Sequence, residues 1–338
     1  MTRASTAPKI VLGALLLLAL TVVILYLVPS NDYLLLPDKA HPVAPLVTVQ
    51  GGRNPHDGGG IYFVDVFERR ASVFERLFPW VHTGASLVPA SLIVPPGVSD
   101  QAVREADIRA MTLSQRIAAA VALRRLGYRV VARPGGVVVA ELESTSRANG
   151  KVRLGDVIVR VDGAPTGTVA QLRNAMAKIR PGQTVTLTLR RGGKRLTVRV
   201  ETMADPADAR RAIIGFAPEQ AAQITLPIKV RIDVGNVGGP SAGLAFALEV
   251  MEKLGRDVDH GYRVAATGQI ELNGGVAAIG GIKQKTYGVR AAHADVFLVP
   301  VAGDNAKDAQ HYADGLRIIP VKTFAQALHA LATLPRKH

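Results

Sequence analysis

The sequence predicts a mixed α/β (α+β) protein with two folded domains behind one N-terminal apolar helix. An uncharged run rich in Leu, Val and Ile covers residues 10–28, and short strand-like runs separated by turns fill residues 130–204. From residue 213 onward, strand-like runs alternate with helical ones. The chain has 338 residues, of which 48% are hydrophobic and 20% charged, enough for about two domains with real cores.

Composition excludes several kinds of site. The chain contains no cysteine, which rules out thiol catalysis, disulfides and Cys-ligated zinc. Its 8 histidines form no pattern such as H-E-x-x-H, so no metal site is predicted. The net charge is +14, but no basic stripe interleaved with aromatic residues is present. We interpret the excess charge as a solvated face, with a membrane surface as the second interpretation and no nucleic-acid partner.

Residues 10–28 are predicted to form a transmembrane helix, because the run is uncharged and long enough to span a bilayer. Basic residues precede the run, and the next one after it is Lys39. This asymmetry predicts that residues 1–9 are cytoplasmic and that the catalytic part lies outside the cell membrane. A cleaved signal peptide is the competing hypothesis, but residues 27–30 offer no small-x-small cleavage site.

Residues 29–129 are assigned to an extracytoplasmic N-terminal region. Strand-like runs at residues 46–49 and 61–67 flank a Gly-rich loop and predict a hairpin. A short helix is expected over residues 72–80 and a long one over residues 99–126. The candidate buried positions of the long helix are Ile108, Met111, Leu113, Ile117, Val121 and Leu123.

Residues 130–204 are predicted to form a small domain of strands around one helix, residues 169–179. At its centre lies the run L-G-D-V-I-V-R-V-D-G, residues 154–163, a strand closed by an Asp-Gly turn. This order of elements resembles the bacterial PDZ domain, which takes a peptide as an added strand and holds its carboxylate on backbone N–H groups. The resemblance implies a peptide-binding loop that contains Gly135, Gly136 and Val137. A groove that only packs against its neighbouring domain is the alternative.

The stretch Gly238-Gly239-Pro240-Ser241-Ala242-Gly243 is the candidate nucleophile site. Pro240 can open a helix, and the apolar run over residues 244–250 predicts that this helix is buried. Ser241 is then expected in the first helical turn, where free N–H groups and the helix dipole favour negative charge. Such a turn suits a nucleophile beside an oxyanion hole, with backbone donors predicted at Gly239 and Ser241. A serine that merely caps a buried helix is the alternative.

A serine nucleophile needs a base, and the sequence offers two kinds. His260 and His293 flank the region but stand in no catalytic pattern. The other kind is a lysine whose pKa burial lowers, so that it is neutral at working pH. An apolar, Gly-rich run leads into Lys283 and Lys285 at the start of a predicted helix, where one of them could be desolvated. Nucleotide binding at this Gly-rich turn is a further hypothesis, but the sequence has no acidic residue placed to bind the ribose.

Three motifs in order resemble the proteolytic domain of the Lon family of serine–lysine peptidases. They are P-S-A-G at residues 240–243, T-G-Q-I at residues 267–270 and I-G-G-I-K-Q-K at residues 279–285. The resemblance covers residues 213–334. It implies the nucleophile Ser241, the catalytic lysine Lys285 and a supporting hydroxyl at Thr267, with Lys283 as the neighbour most easily mistaken for the base. The motif of the family usually carries an acid two residues before the proline, where this chain has Gly238.

Residues 205–338 are accordingly assigned to a Lon-type proteolytic domain. The whole arrangement resembles the membrane-anchored YlbL-like peptidases, in which a PDZ segment divides the catalytic region, so residues 46–49 and 61–67 are expected to complete the peptidase sheet. No G-x-x-x-x-G-K-[ST] motif is present, which predicts an ATP-independent enzyme without a cofactor.

The resemblance implies a membrane-anchored serine endopeptidase that acts on protein or peptide substrates. Its PDZ domain would recognise or gate these substrates, and membrane lipid would be its neighbour. By analogy with the family, it also implies a homo-oligomeric ring. A catalytically silent PDZ scaffold or adaptor at the membrane surface is the alternative.

Overall fold

The computed structural model describes residues 7–53, 58–94, 98–143, 145–206 and 208–337. Most of the predicted cytoplasmic segment, residues 1–6, lies outside the described residues. The helices are α1 (Ala7–Leu27), α2 (Val73–Leu77), α3 (Ala90–Ile93), α4 (Asp100–Arg125), α5 (Val169–Met176), α6 (Gly243–Lys253), α7 (Ile282–Ala291), α8 (Asn305–His311) and α9 (Phe324–Ala332).

The strands, in chain order, are β1 (Pro29–Pro37), β2 (His41–Pro42), β3 (Val47–Val49), β4 (Gly60–Phe63), β5 (Val66–Ser72), β6 (Ser86–Pro89), β7 (Val131–Leu142), β8 (Val157–Val161), β9 (Ala164–Pro165), β10 (Thr184–Arg191), β11 (Lys194–Glu201), β12 (Met203–Asp205), β13 (Asp208–Ile213), β14 (Phe216–Thr225), β15 (Val230–Ile232), β16 (Arg263–Ala266), β17 (Gln269–Ile270), β18 (Val276–Ala277), β19 (Val296–Pro300) and β20 (Arg317–Val321). Short 3-10 helices cover Ala44–Leu46 and Pro79–Val81.

Helix α1 is apolar from Ile10 onward, and its C-terminal end packs against α2. Its window Ile10–Leu27 has a mean hydropathy of 3.0 and is 0% buried. Among the described residues it is the one helix long and apolar enough to cross a membrane. It therefore fits a membrane anchor, and its predicted orientation stays a prediction. The chain passes directly from α1 into β1, which pairs antiparallel with both β5 and β6.

A five-stranded sheet and the buried helix α6 form the core around the candidate nucleophile. The strand order is β2-β4-β16-β19-β20, and β4, β16, β19 and β20 run parallel. The strands at residues 46–49 and 61–67 do not form the predicted hairpin, because β3 pairs with β15 and β4 pairs with β16. Val49 of β3 and Phe63 of β4 instead bury their side chains in one core with α6. The N-terminal region therefore contributes strands to the same core as the C-terminal region.

The second core belongs to the sheet β11-β10-β8-β7-β14, with β9 beside β8 and α5 packed against it. Strand β14, which follows the segment predicted to be a PDZ domain, pairs antiparallel along β7 from Leu142 to Val131. The predicted open loop at Gly135, Gly136 and Val137 is therefore wrong. These residues lie inside β7, where Gly136 pairs with Ala221 of β14 and Val137 pairs with Ile158 of β8. Strand β14 thus covers one edge of β7 over this segment, and β8 pairs with the other edge at Val137 and Val138.

The long helix predicted over residues 99–126 is confirmed as α4. The hydroxyl of Ser99 caps it by accepting a hydrogen bond from the N–H of Ala102. Met111, Val121 and Leu123 are buried as predicted, whereas Ile108 is 37% exposed. The helix lies between the two cores, because Met111 belongs to the core around α6 and Ala106 packs against the core of the other sheet.

Candidate active site

The candidate nucleophile Ser241 is half-buried in a tight turn immediately before α6. The carbonyl of Pro240 accepts a hydrogen bond from the N–H of Gly243 at 3.3 Å. The carbonyl of Ser241 accepts from the N–H of Gly268 at 2.7 Å and from the hydroxyl of Thr267 at 3.2 Å. The expectation of Ser241 within the first helical turn is thus wrong, since α6 begins at Gly243. The carbonyl of Ser241 accepts hydrogen bonds from Thr267 and Gly268 and not from an N–H of α6. The predicted burial of residues 244–250 is confirmed.

The candidate base comes from the first turn of α7. Gly281 caps this helix with φ +68°, a conformation that favours glycine. The Nζ of Lys285 lies 2.6 Å from the Oγ of Ser241 and 3.4 Å from the Oγ1 of Thr267. Lys285 is 3% exposed and Thr267 0%, so the amine is enclosed by protein. The structure thus brings together three predicted site residues that come from separate motifs.

Burial sets the charge state of the lysine. Removing an ammonium from water disfavours its charged form, and this desolvation lowers the pKa of Lys285 to about 8, while the nearby carboxylates of Asp65 and Glu68 act in the opposite direction. A free lysine has a pKa of roughly 10.4. Lys285 is therefore far more often neutral at mildly alkaline pH than a solvent-exposed lysine, as a general base must be.

Lys283 points away from the nucleophile. Its Nζ donates to the carbonyl of Ala85 at 2.9 Å and lies 5.7 Å from the ring centroid of Tyr312. Residues two apart on a helix are rotated by about 200° from each other. Only one lysine of the pair can therefore face Ser241, and the fold directs Lys285 there.

Of the two backbone donors predicted around the nucleophile, Gly239 and Ser241, one is bonded to another group. The N–H of Gly239 donates to the carbonyl of Asp107 at 2.9 Å, so it is already engaged and the prediction that it serves an oxyanion hole is wrong. The N–H groups of Ser241 and Ala242 donate to no group in the described part of the chain. They are therefore the free donors beside the Ser241 hydroxyl. The Asp107 contact comes from α4, far from the turn in sequence, so no local signal could have revealed it.

Residues 208–333 match the family described as the Lon protease (S16) C-terminal proteolytic domain. The chain carries a Lon-type proteolytic domain. Residues 124–202 match the family described as the PDZ domain. The predicted domain families are thereby confirmed, as are the mixed α/β fold and the enzyme class of the Lon-type domain, a serine protease hydrolase.

Known proteins resemble parts of this chain. The Lon protease of Mesomycoplasma hyopneumoniae (strain 232) is 40% identical over 91 residues, which cover 26% of this chain and 10% of that protein. Lon protease 2 of Bacillus subtilis (strain 168) is 34% identical over 100 residues, covering 29% of this chain and 17% of that protein. The chain thus spans less than a fifth of the length of either relative. The PDZ domain of an SdrC-like protein from Listeria monocytogenes is 21% identical, covers 25% of this chain and 87% of that chain, and has a TM-score of 0.23.

In the Lon-type domain, the residue two before the proline is glycine for a steric reason. A Cβ atom on Gly238 would lie 2.7 Å from the Cβ of Asp107. Any side chain at position 238 would therefore push α4 away from the nucleophile turn. The space where the family usually carries an acid is occupied here by an aspartate of another element.

No described histidine bonds the Ser241 hydroxyl, whereas one group of possible cation ligands includes Asp65, which lies near Lys285. No histidine among the described residues forms a hydrogen bond with Ser241, and the Nδ1 of His260 lies 3.3 Å from the carbonyl of Leu334. Two groups in the described residues bring possible metal-ligand atoms within 4.8 Å of one another, namely Asp38, His41 and Asp65, and Glu252, Asp257 and Asp259. Neither group contains a dyad residue. The site thus offers a hydroxyl, an amine and backbone N–H groups, with the carboxylates of Asp65 and Glu68 near the amine.

The edge of β14 is a feature that the sequence reasoning missed. In the described sheet, β14 is the terminal strand, and α5 packs beside it. Gly215, directly before this strand, has φ +81°, and a Cβ there would lie 2.8 Å from the Cβ of Ser146. An apolar pair, Ile214 and Phe216, flanks this glycine. That pattern was the available signal for a special backbone position at the start of an edge strand.

Proposed function

We propose that this chain is a membrane-anchored, ATP-independent serine endopeptidase with a Ser241–Lys285 dyad. The observation that carries the proposal is the 2.6 Å separation of the Lys285 Nζ and the Ser241 Oγ. The enclosure of that amine, whose pKa falls to about 8, adds to it. The substrates are protein or peptide chains, since the Lon-type domain is proteolytic and a PDZ domain binds peptides.

The reaction is acyl transfer in two halves. Neutral Lys285 accepts the hydroxyl proton as the Oγ of Ser241 bonds to the carbonyl carbon of the substrate. The C–N bond then breaks, and Lys285 returns the proton to the leaving amine. Water then attacks the resulting ester and gives a proton to Lys285. The bond between the acyl carbon and the Oγ of Ser241 breaks, Lys285 returns the proton to that oxygen, and the acid leaves.

Two elements of the turn support this reaction. The N–H groups of Ser241 and Ala242, which donate to no group in the described part of the chain, are the proposed donors to the oxyanion, and losing one such donor typically costs about 100-fold or more in rate. Thr267 contacts both partners, because its hydroxyl donates to the Ser241 carbonyl and lies 3.4 Å from the lysine Nζ. It therefore orients the amine toward the nucleophile.

The PDZ domain is proposed to take its peptide at the outer edge of β14, beside α5. An edge strand presents unpaired N–H and C=O groups, to which an extended peptide adds as a further strand. This edge replaces the loop predicted from Gly135 and Gly136, which β14 itself covers. Helix α1 would hold the whole unit at the membrane, and the ring of Tyr26 in α1 packs 6.3 Å from that of Phe74 in α2.

The test is cleavage of an unstructured polypeptide by the full-length chain in detergent or nanodiscs, without nucleotide. The wild type is expected to produce fragments, and the Ser241→Ala variant none. Added ATP should leave the rate unchanged. Fragments from both proteins would show a different nucleophile or a contaminant. A folded wild type that produces no fragments would favour the membrane scaffold instead.

The pH dependence of kcat/KM is expected to report the lysine. Because the base must be neutral, the rate should rise as pH increases through the pKa of Lys285 and level off above it, with a midpoint near pH 8. Rates measured from pH 6 to 10 with a short fluorogenic peptide check this. Lys283→Ala should keep the same midpoint, since Lys283 does not face the nucleophile. A rate that is flat or falls between pH 7 and 9 would contradict a lysine base.

A further inference from the structure

Helix α4 forms two hydrogen bonds with the nucleophile turn, residues 238–242, one at Gly239 and one at Pro240. The carbonyl of Asp107 accepts from the N–H of Gly239 at 2.9 Å. The hydroxyl of Ser114 donates to the carbonyl of Pro240 at 2.9 Å. Ser114 is 2% exposed, so water does not replace this hydrogen bond easily. These bonds fix the backbone of the residues that directly precede Ser241.

The same helix is bonded to the sheet that β14 completes on the PDZ domain. The guanidinium of Arg109 donates to the carbonyl of Leu154, which follows β7 in the PDZ core. The guanidinium of Arg116 donates to the carbonyl of Ile224. Ile224 belongs to β14, the strand at which a peptide would be added. Helix α4 thus contacts both the nucleophile turn and the edge strand.

These two sets of contacts lie on opposite faces of α4. Positions about two turns apart share a face, so Asp107 and Ser114 form one pair and Arg109 and Arg116 another. A step of two residues rotates the helix by about 200°, which separates the pairs across its axis. The helix is therefore clamped between the Lon-type domain and the PDZ domain.

We propose that α4 couples the PDZ domain to the dyad. Ser114 is the positioning residue that holds the turn before Ser241, and Arg116 links α4 to β14. The proposal rests on the proposed function, because it assigns control of that same dyad. Met111 and Ala118 fix α4 in the core beside α6, so a shift of β14 is carried by a continuous helix to the carbonyl of Pro240. A peptide on the edge of β14 thus changes the acylation rate and not only substrate affinity.

The experiment measures kcat and KM of the full-length chain for a short fluorogenic peptide. Ser114→Ala should lower kcat by about 10- to 100-fold with little change in KM, because a displaced nucleophile slows chemistry more than binding. Arg116→Ala should lower kcat by about 3- to 10-fold. The double variant should be no slower than Ser114→Ala alone, because Arg116 acts through the position of that hydroxyl. The pH midpoint should stay at the wild-type value, since Lys285 keeps its surroundings.

Two variants of the same helix serve as matched controls. Thr112→Ala removes an exposed hydroxyl that bonds only the carbonyl of Ile108 in its own helix, and Arg125→Ala removes a guanidinium with no hydrogen-bond partner among the described residues. Both should keep wild-type kcat, and all variants should keep the wild-type melting temperature within a few degrees.

The outcomes separate the coupling from the proposed function. Wild-type kcat in Ser114→Ala would overturn the positioning role. Wild-type kcat in Arg116→Ala, or single effects that multiply in the double variant, would overturn the coupling while the wild type remains an active protease. A folded wild type without any cleavage would overturn the proposed function and the coupling together.

Discussion

Lys285→Ala is expected to reduce kcat by about 1000-fold or more, whereas Lys283→Ala retains most of the wild-type rate. Without the amine 2.6 Å from its oxygen, Ser241 has no group to accept its proton. The amine of Lys283 bonds the carbonyl of Ala85 and takes no part in proton transfer. Rates of peptide cleavage at pH 9 measure the difference, because the wild-type lysine is mostly neutral there.

Two further substitutions separate the loss of a base from the loss of packing. Lys285→Met keeps the buried stem without an ionisable group and should fold normally but remain inactive. Lys285→Arg introduces a permanently charged guanidinium, which cannot act as a base at any working pH. Substantial cleavage by the arginine variant would contradict proton transfer through a neutral amine. Loss of activity in Lys283→Ala equal to that in Lys285→Ala would mean that the turn before α7 had been disturbed or the wrong lysine chosen.

Ser241 and Lys285 were predicted from the resemblance of three short motifs to the Lon family, because the residue types alone left the base open between a histidine and either lysine. Gly281 sets the start of α7 and thereby the direction of Lys285, and the Thr267-Gly268 pair holds the carbonyl of Ser241. The start of α7 is a local feature that a glycine reveals, whereas the hydrogen bonds to the carbonyl of Ser241 join two segments that are separate in sequence. The actual separation of Lys285 and Ser241 remained hidden, because it depends on how α6 and α7 pack in three dimensions.

The failed predictions share one physical cause, pairing with a distant segment. Gly135 and Gly136 favoured an open loop by their conformational freedom, but β14 pairs along the whole of β7 and makes them part of a sheet. Gly239 was predicted to be a free donor, but its N–H donates to the carbonyl of Asp107 in α4. The predicted hairpin at residues 46–49 and 61–67 failed similarly, since β3 pairs with β15 and β4 pairs with β16, while residues 66–67 belong to β5, which pairs with β1. Tertiary contacts of this kind override local propensity.

Gly288→Ala is expected to be the most damaging single-methyl change in the Lon-type domain. Gly288 lies on α7 about one turn after Lys285. A Cβ there would overlap the carbonyl oxygen of Asp38 and lie 3.1 Å from the Cγ2 of Val64. The backbone is the obstacle, so it cannot move aside as the end of a flexible side chain can. The carbonyl of Gly288 also accepts from the N–H of Ala40 at 3.2 Å, which ties α7 to the segment after β1.

The added methyl therefore has to push α7 away from this segment, and Lys285 moves with the helix. We expect a loss of about 1–3 kcal/mol or more in unfolding free energy and about a 100-fold loss in kcat. Denaturant unfolding and peptide cleavage measure the two effects. Gly280→Ala is the matched control, because a Cβ there meets no atom within 4 Å. If Gly288→Ala unfolds and cleaves like the wild type, α7 is not held in place by this close approach, and the position of Lys285 must depend on its other contacts.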